Sequence, residues 1–108
     1  MAPTKRSSPK GDPSPLSPLI HGRARLLILS FLMPRTAGAT FSEIKAEIGL
    51  TDGTLSVHLS ELEKGGLVEI TKRFVGKRPQ TVVTVSEPGR RQFAAYVEEL
   101  KRLVPGLG

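Results

Sequence analysis

The chain has 108 residues, enough for one domain, and a domain of this size buries only about two-thirds of its unfolded surface. Lys and Arg number 16 against 10 Asp and Glu, and the resulting net charge of +6 favours a polyanionic partner such as DNA or RNA. No cysteine is present, which excludes disulfides, thiolate metal sites and a cysteine redox switch, and the two histidines, His21 and His58, have no partner motif for a metal.

The Pro- and Ser-rich residues 1–17 are nearly free of large apolar groups, so they are expected to form a flexible tail. Lys5, Arg6 and Lys10 could lay that tail along phosphates. A single folded domain is expected over 18–105. Its first helix is predicted over 19–33, apolar almost all round at Leu26, Leu27, Ile28, Leu29, Phe31 and Leu32, until Pro34 stops it. Such a helix needs cover on more than one side. A loop is expected over 34–39. Thr40-Phe41-Ser42-Glu43 then has capping-box spacing and opens a short helix to Ile48, with Phe41, Ile44 and Ile48 facing inward.

Gly49 suits the left-handed residue that ends this helix, and the Thr51 hydroxyl can cap the free amides of the next. In that helix, predicted over 51–64, Leu55, Leu59 and Leu62 recur at i, i+4 and i+7. Gly53, Val57 and Ser60 point the opposite way. Asp52, at the helix start, suits a capping role. Gly65-Gly66 stops the helix. The β-branched runs 67–73 and 80–85 read as a hairpin whose extended basic tip covers 74–79. No acid interrupts residues 70–86, which include Lys72, Arg73, Lys77 and Arg78. Ser86 caps a last helix with Pro88 in its first turn, and Phe93, Tyr96, Val97, Leu100, Leu103 and Val104 give it a broad apolar stripe before Pro105-Gly106. Glu98 and Arg102, at i and i+4, suggest a local surface pair.

Three stretches carry a resemblance: Phe41-Ser42-Glu43-Ile44-Lys45, the run from Leu50-Thr51-Asp52 through His58-Leu59, and Gly76-Lys77-Arg78-Pro79 followed by Val85-Ser86-Glu87-Pro88-Gly89-Arg90. With the order helix, helix, turn, helix, wing, helix, they make residues 26–103 similar to a winged helix-turn-helix domain of the MarR and ArsR regulator type. More narrowly, they resemble a family of small winged-helix DNA-binding domains.

The resemblance implies a mainly α fold with a β-hairpin wing, dimerising through its first and last helices. It also implies a cytoplasmic homodimer that binds double-stranded DNA sequence-specifically and regulates transcription, as a repressor. Helix 51–64 would then enter the major groove and the wing, 72–80, would meet phosphates or the minor groove. Base-facing candidates are Thr54, Ser56, Val57 and Ser60. Phosphate or wing contacts fall to Thr51, His58, Lys72, Arg73, Lys77 and Arg78, with His58 able either to pack under the wing or to donate to a phosphate. Leu26, Leu29, Phe31, Phe93, Tyr96, Val97, Leu100 and Leu103 are the candidate dimer residues, since both helices carry more apolar surface than one neighbour needs.

Two departures stand out. Lys45 occupies a position that usually holds a small Ala in the wider class. Residues 51–63 contain no Lys or Arg, so the bidentate arginine that commonly reads guanine is missing. A protein-protein interaction module without specific DNA readout is therefore the competing expectation, with a structured-RNA binder third. No nucleophile-base pair or phosphate loop supports an enzyme, and no cofactor is expected. No apolar run approaches the roughly 20 residues of a membrane span.

Overall fold

The computed structural model describes residue 20 and residues 22–107. The proposed tail, residues 1–17, lies outside the described residues. The elements run α1 (Arg23–Leu32), β1 (Ala39–Thr40), α2 (Phe41–Ile48), α3 (Asp52–Lys64), β2 (Val68–Val75), β3 (Arg78–Val85) and α4 (Glu87–Leu103).

Local chemistry sets most of the boundaries. The Thr40 hydroxyl accepts from the Glu43 amide at 3.0 Å and the Glu43 carboxylate accepts from the Thr40 amide at 2.8 Å, so both halves of the capping box are made. Gly49 ends α2 at φ 83°, a left-handed conformation that costs glycine little. Thr51 caps α3 by accepting from the Thr54 amide. Asp52 is thus the first helical residue rather than the cap, and it pairs with Lys45 of α2 at 2.7 Å. Ser86 caps α4 by accepting from the Gly89 amide at 3.0 Å, while its own hydroxyl donates to the Gly66 carbonyl.

Three elements differ from the sequence expectation. Helix α1 begins at Arg23 rather than residue 19, because Gly22, at φ 147°, breaks the helical path just before it. The expected loop before α2 ends in a short strand, β1, which pairs antiparallel with Val82 and Val83 to give a three-stranded sheet in the order β1-β3-β2. The hairpin has no extended tip. Pairing continues through Phe74–Pro79 and Val75–Arg78, leaving only Gly76 and Lys77 to turn the chain. Pro79 is tolerated there because β1 stops short of it, so that flank of β3 needs no donor.

One core joins Ile28, Leu29 and Leu32 of α1, Ile44 of α2, Leu55, Leu59 and Leu62 of α3, Val68, Val83 and Val85 of the sheet, and Phe93 and Tyr96 of α4. The leucine stripe of α3 is therefore committed inward, which turns Gly53, Val57 and Ser60 out. Two close approaches lock the frame. A Cβ on Gly89 would lie 2.1 Å from the Leu67 carbonyl oxygen, so the first turn of α4 fits against the start of the hairpin only as glycine. Arg90 donates to the Met33 carbonyl at 2.9 Å and so satisfies an orphan acceptor at the end of α1.

Candidate nucleic-acid interface

Helix α3 presents three sides. Toward the core lie its leucines. Toward the wing, Ser56, Leu59, Ser60 and Glu63 share a cleft with Phe41, Ile70, Lys72 and Thr81. Away from the body lie Gly53 and Val57, with Val57 59% exposed. Thr54 is exposed near the helix start, and its hydroxyl already accepts from that of Thr51 at 2.9 Å. The base-facing candidates are thus all accessible: Val57 on the outer face, Ser56 and Ser60 on the wing side and Thr54 on the opposite flank.

His58 is half-buried, and its Nδ1 accepts from Nε of Arg25 at 3.1 Å. It faces α1 and does not pack under the wing, because its step along the helix carries it around the side away from the hairpin. With Nδ1 engaged as an acceptor, neutral His58 carries its proton on Nε2. Arg25 was missed in the sequence, since an isolated arginine on an apolar helix gives no sign of a partner 33 positions away. Lys45 was noticed only as an unusual residue. Its carboxylate partner explains it: the pair ties α2 to the start of α3 and offsets the Asp52 charge at the exposed helix start. Being largely exposed, it contributes little to stability.

The wing is uniformly accessible from Thr71 to Pro79. Arg73 donates to the side chain of Gln80 across the strands at 2.9 Å, which holds its guanidinium along the ribbon. Lys77 forms the turn and Arg78 follows it. Elsewhere, besides Lys45 with Asp52, four exposed cations meet acids: Lys64 with Glu61, Arg91 with Glu87, Lys101 with Glu98 and Arg102 with Glu99. The last two replace the expected Glu98–Arg102 pair, because i,i+3 partners on this helix come into reach first. Among the described residues no carboxylate pairs with Lys72, Arg73, Lys77 or Arg78. Four cations without acid partners on one protruding ribbon, beside a helix whose outer face is small and uncharged, form a surface shaped and charged for a nucleic-acid groove.

The sequence model of the winged helix DNA-binding domain matches residues 24–104, from the first turn of α1 to the end of α4. The chain belongs to that family. The winged-helix domain is similar to the transcriptional regulator homologue protein from Pyrococcus horikoshii OT3, with a TM-score of 0.77 and 36% identity over 84% of this chain and 89% of that one. It is also similar to AbfR of Staphylococcus epidermidis, in its overoxidized form bound to DNA. There the TM-score is 0.72 and the identity 25%, over 85% of this chain and 66% of that one. An uncharacterized protein of Methanocaldococcus jannaschii is 36% identical over 63 residues, 58% of this chain and 68% of that protein. The matched family is one of DNA-binding domains, and the Pyrococcus horikoshii neighbour is a transcriptional regulator homologue. No described helix is long and apolar enough to cross a membrane.

The candidate dimer residues divide in three. Leu29, Phe93 and Tyr96 are buried inside the winged-helix domain itself, so they supply no free surface. The reason is that α1 and α4 spend their widest apolar faces on their own sheet and helices. Leu26, Phe31, Val97 and Leu100 are half-buried against the same core, and the Phe31 ring is further covered by the Arg35 guanidinium, 3.8 Å from its centroid. Leu103 remains 55% exposed. Val104 and Leu107 continue the stripe, at 45% and 53%. Sequence alone cannot tell an apolar face buried in its own chain from one left for a second copy, since both have the same periodicity.

Proposed function

We propose that this winged-helix domain binds double-stranded DNA as a homodimer and regulates transcription by occupying a promoter, acting as a repressor. Helix α3 enters the major groove with Val57 and Ser60 nearest the bases and Thr54 and Ser56 beside them, while Thr51 and the Nε2 proton of His58 face phosphates. The wing lies along the adjacent backbone and minor groove through Lys72, Arg73, Lys77 and Arg78. The observation that carries this reading is the set of wing cations without acid partners, on a domain whose other exposed cations are mostly paired. DNA-bound AbfR, a structural neighbour, supports the choice of polyanion.

The way the α4 stripe runs off its own core supports dimerisation. Phe93 and Tyr96 are covered, Val97 and Leu100 are half-covered, and Leu103, Val104 and Leu107 are open. A two-fold pairing of these ends, with Leu27 of α1 as a further open apolar residue, would bury them and place two α3 helices about one DNA turn, or a small multiple of it, apart.

Electrophoretic titration against random duplex, selected duplex and structured RNA tests the reading. Replacing Lys77 and Arg78 together by Ala should weaken binding to every duplex and lower the slope of log affinity against log salt by about one to two. An unchanged slope would remove the wing from the DNA. A chain that binds no duplex but retains a protein from solution would favour the interaction-module reading, which the exposed Val57 and the absence of arginine in α3 otherwise suit.

A further inference from the structure

Phe74 is 73% exposed, more than any other large apolar residue described. It stands directly across from Pro79. Alternation along the strands puts this pair on the same sheet face as Ile70–Val83 and Lys72–Thr81. On that face α3 reaches only as far as Lys72 and Thr81, where its flank closes the cleft, while Thr40, Phe41 and Ser42 at the start of α2 border Pro79. Phe74 therefore overhangs beyond α3, framed by Lys72, Arg73, Lys77 and Arg78, in a stretch from 70 to 86 without an acid. Residues of a hairpin tip whose only task is solubility gain nothing from an uncovered phenyl ring.

An occupant must combine negative charge with apolar surface at close range. Duplex DNA does so at the rim of its minor groove, where the deoxyribose edges lie between the phosphates. The dimensions agree: two strand steps of about 3.3 Å separate the Gly76–Lys77 turn from the Phe74–Pro79 pair, close to the minor-groove depth of about 7.5 Å. With the turn at the groove floor, the ring stands at the groove mouth, level with sugars and not with stacked bases.

We propose that Phe74, backed by Pro79, packs on deoxyribose at the mouth of the minor groove and gives the wing a salt-independent share of its DNA affinity. This rests on the wing reading above and adds an apolar contact to its ionic ones. A packed ring displaces water and no counterions, so its loss leaves the salt slope alone. A-form RNA, whose minor groove is wide and shallow and lined with 2′-hydroxyls, offers the ring no such wall.

The test is a salt titration of the full chain on a random 25-base-pair DNA duplex with wild type, Phe74→Ala, Phe74→Leu and the Lys77→Ala/Arg78→Ala double variant. Partial burial of a phenyl ring predicts that Phe74→Ala binds about tenfold more weakly at every salt concentration, on a line parallel to wild type, with Phe74→Leu recovering most of the loss. The double variant should instead flatten the line. An exposed side chain should leave thermal stability unchanged in both Phe74 variants, which separates binding from folding. If Phe74→Ala binds as wild type while the double variant flattens the line, the wing lies on DNA but the ring does not, and the proposal is overturned. A flat response from both sets would overturn the wing reading itself. A Phe74→Ala chain that changes sedimentation rather than affinity would assign the ring to a second copy and overturn the sugar contact.

Discussion

Gly89 gives the most exposed test of the packing described here, because its replacement has a cost that can be worked from contacts. A Cβ at this position would sit 2.1 Å from the Leu67 carbonyl oxygen, 2.9 Å from its carbon and 3.0 Å from the Leu67 Cα. None of these atoms can swing away, being backbone at the root of the hairpin. Relief requires α4 to lift by about 1 Å, and that strains the hydrogen bond from the Ser86 amide to the Leu67 carbonyl and the Ser86 cap on the Gly89 amide. A backbone hydrogen bond is worth about 1 kcal/mol, a cap about 1 kcal/mol and overpacking about 1–3 kcal/mol, while removing a helical glycine returns up to about 1 kcal/mol. Gly89→Ala should therefore destabilise the domain by about 3 kcal/mol and lower its Tm by roughly 12–24 °C. Gly53 is the control: it too is helical, but a Cβ there meets nothing within 4 Å, so Gly53→Ala should stabilise by up to about 1 kcal/mol. Circular dichroism melts at one fixed protein concentration, with urea titrations alongside, measure both. A Gly89→Ala chain that melts at or above the wild-type temperature would refute the close approach of α4 to Leu67.

Thr40→Ala removes one half of the capping box and should cost about 1 kcal/mol by urea titration, with no change in DNA affinity beyond that from stability. Val57→Ala and Ser60→Ala should each shift base preference by about 1 kcal/mol in a selection of bound fragments, while random-duplex affinity holds; loss of folding instead would misplace the outer face of α3. Leu103→Glu should give monomers by sedimentation at micromolar concentration and weaken binding to inverted repeats far more than to half-sites. A dimer that survives Leu103→Glu would put the subunit contact elsewhere.

Much of the fold was legible because its punctuation is local. Thr40, Thr51 and Ser86 announce their caps within three residues, Gly49 and Gly65-Gly66 mark the stops, and Leu55, Leu59 and Leu62 fix the phase of α3. What escaped reading depends on partners distant in sequence. Two residues, Ala39 and Thr40, have no period to detect, and only Val82 and Val83 make them a strand. Pro79 looked like a loop residue until the end of β1 left its flank open. The partner of His58 is Arg25, 33 positions earlier, and the value of Gly89 depends on Leu67. For the candidate site, residue types located the wing cations, yet reading 74–79 as a tip gave no hint that Phe74 pairs with Pro79 as a strand residue and stays exposed among them.

The first turn of α4 is fastened at two places, to the α3–β2 junction through Ser86 and Gly89 and to the end of α1 through Arg90, and Phe93 and Tyr96 sink its middle into the core, so that its apolar stripe is open only from Leu103 onward. A helix of this length spans about 25 Å, most of it bolted down. Whatever grips Leu103 and Val104 therefore pulls on a beam anchored at the same joint from which the hairpin springs, so the spacing between two such grips also sets the aim of the wing.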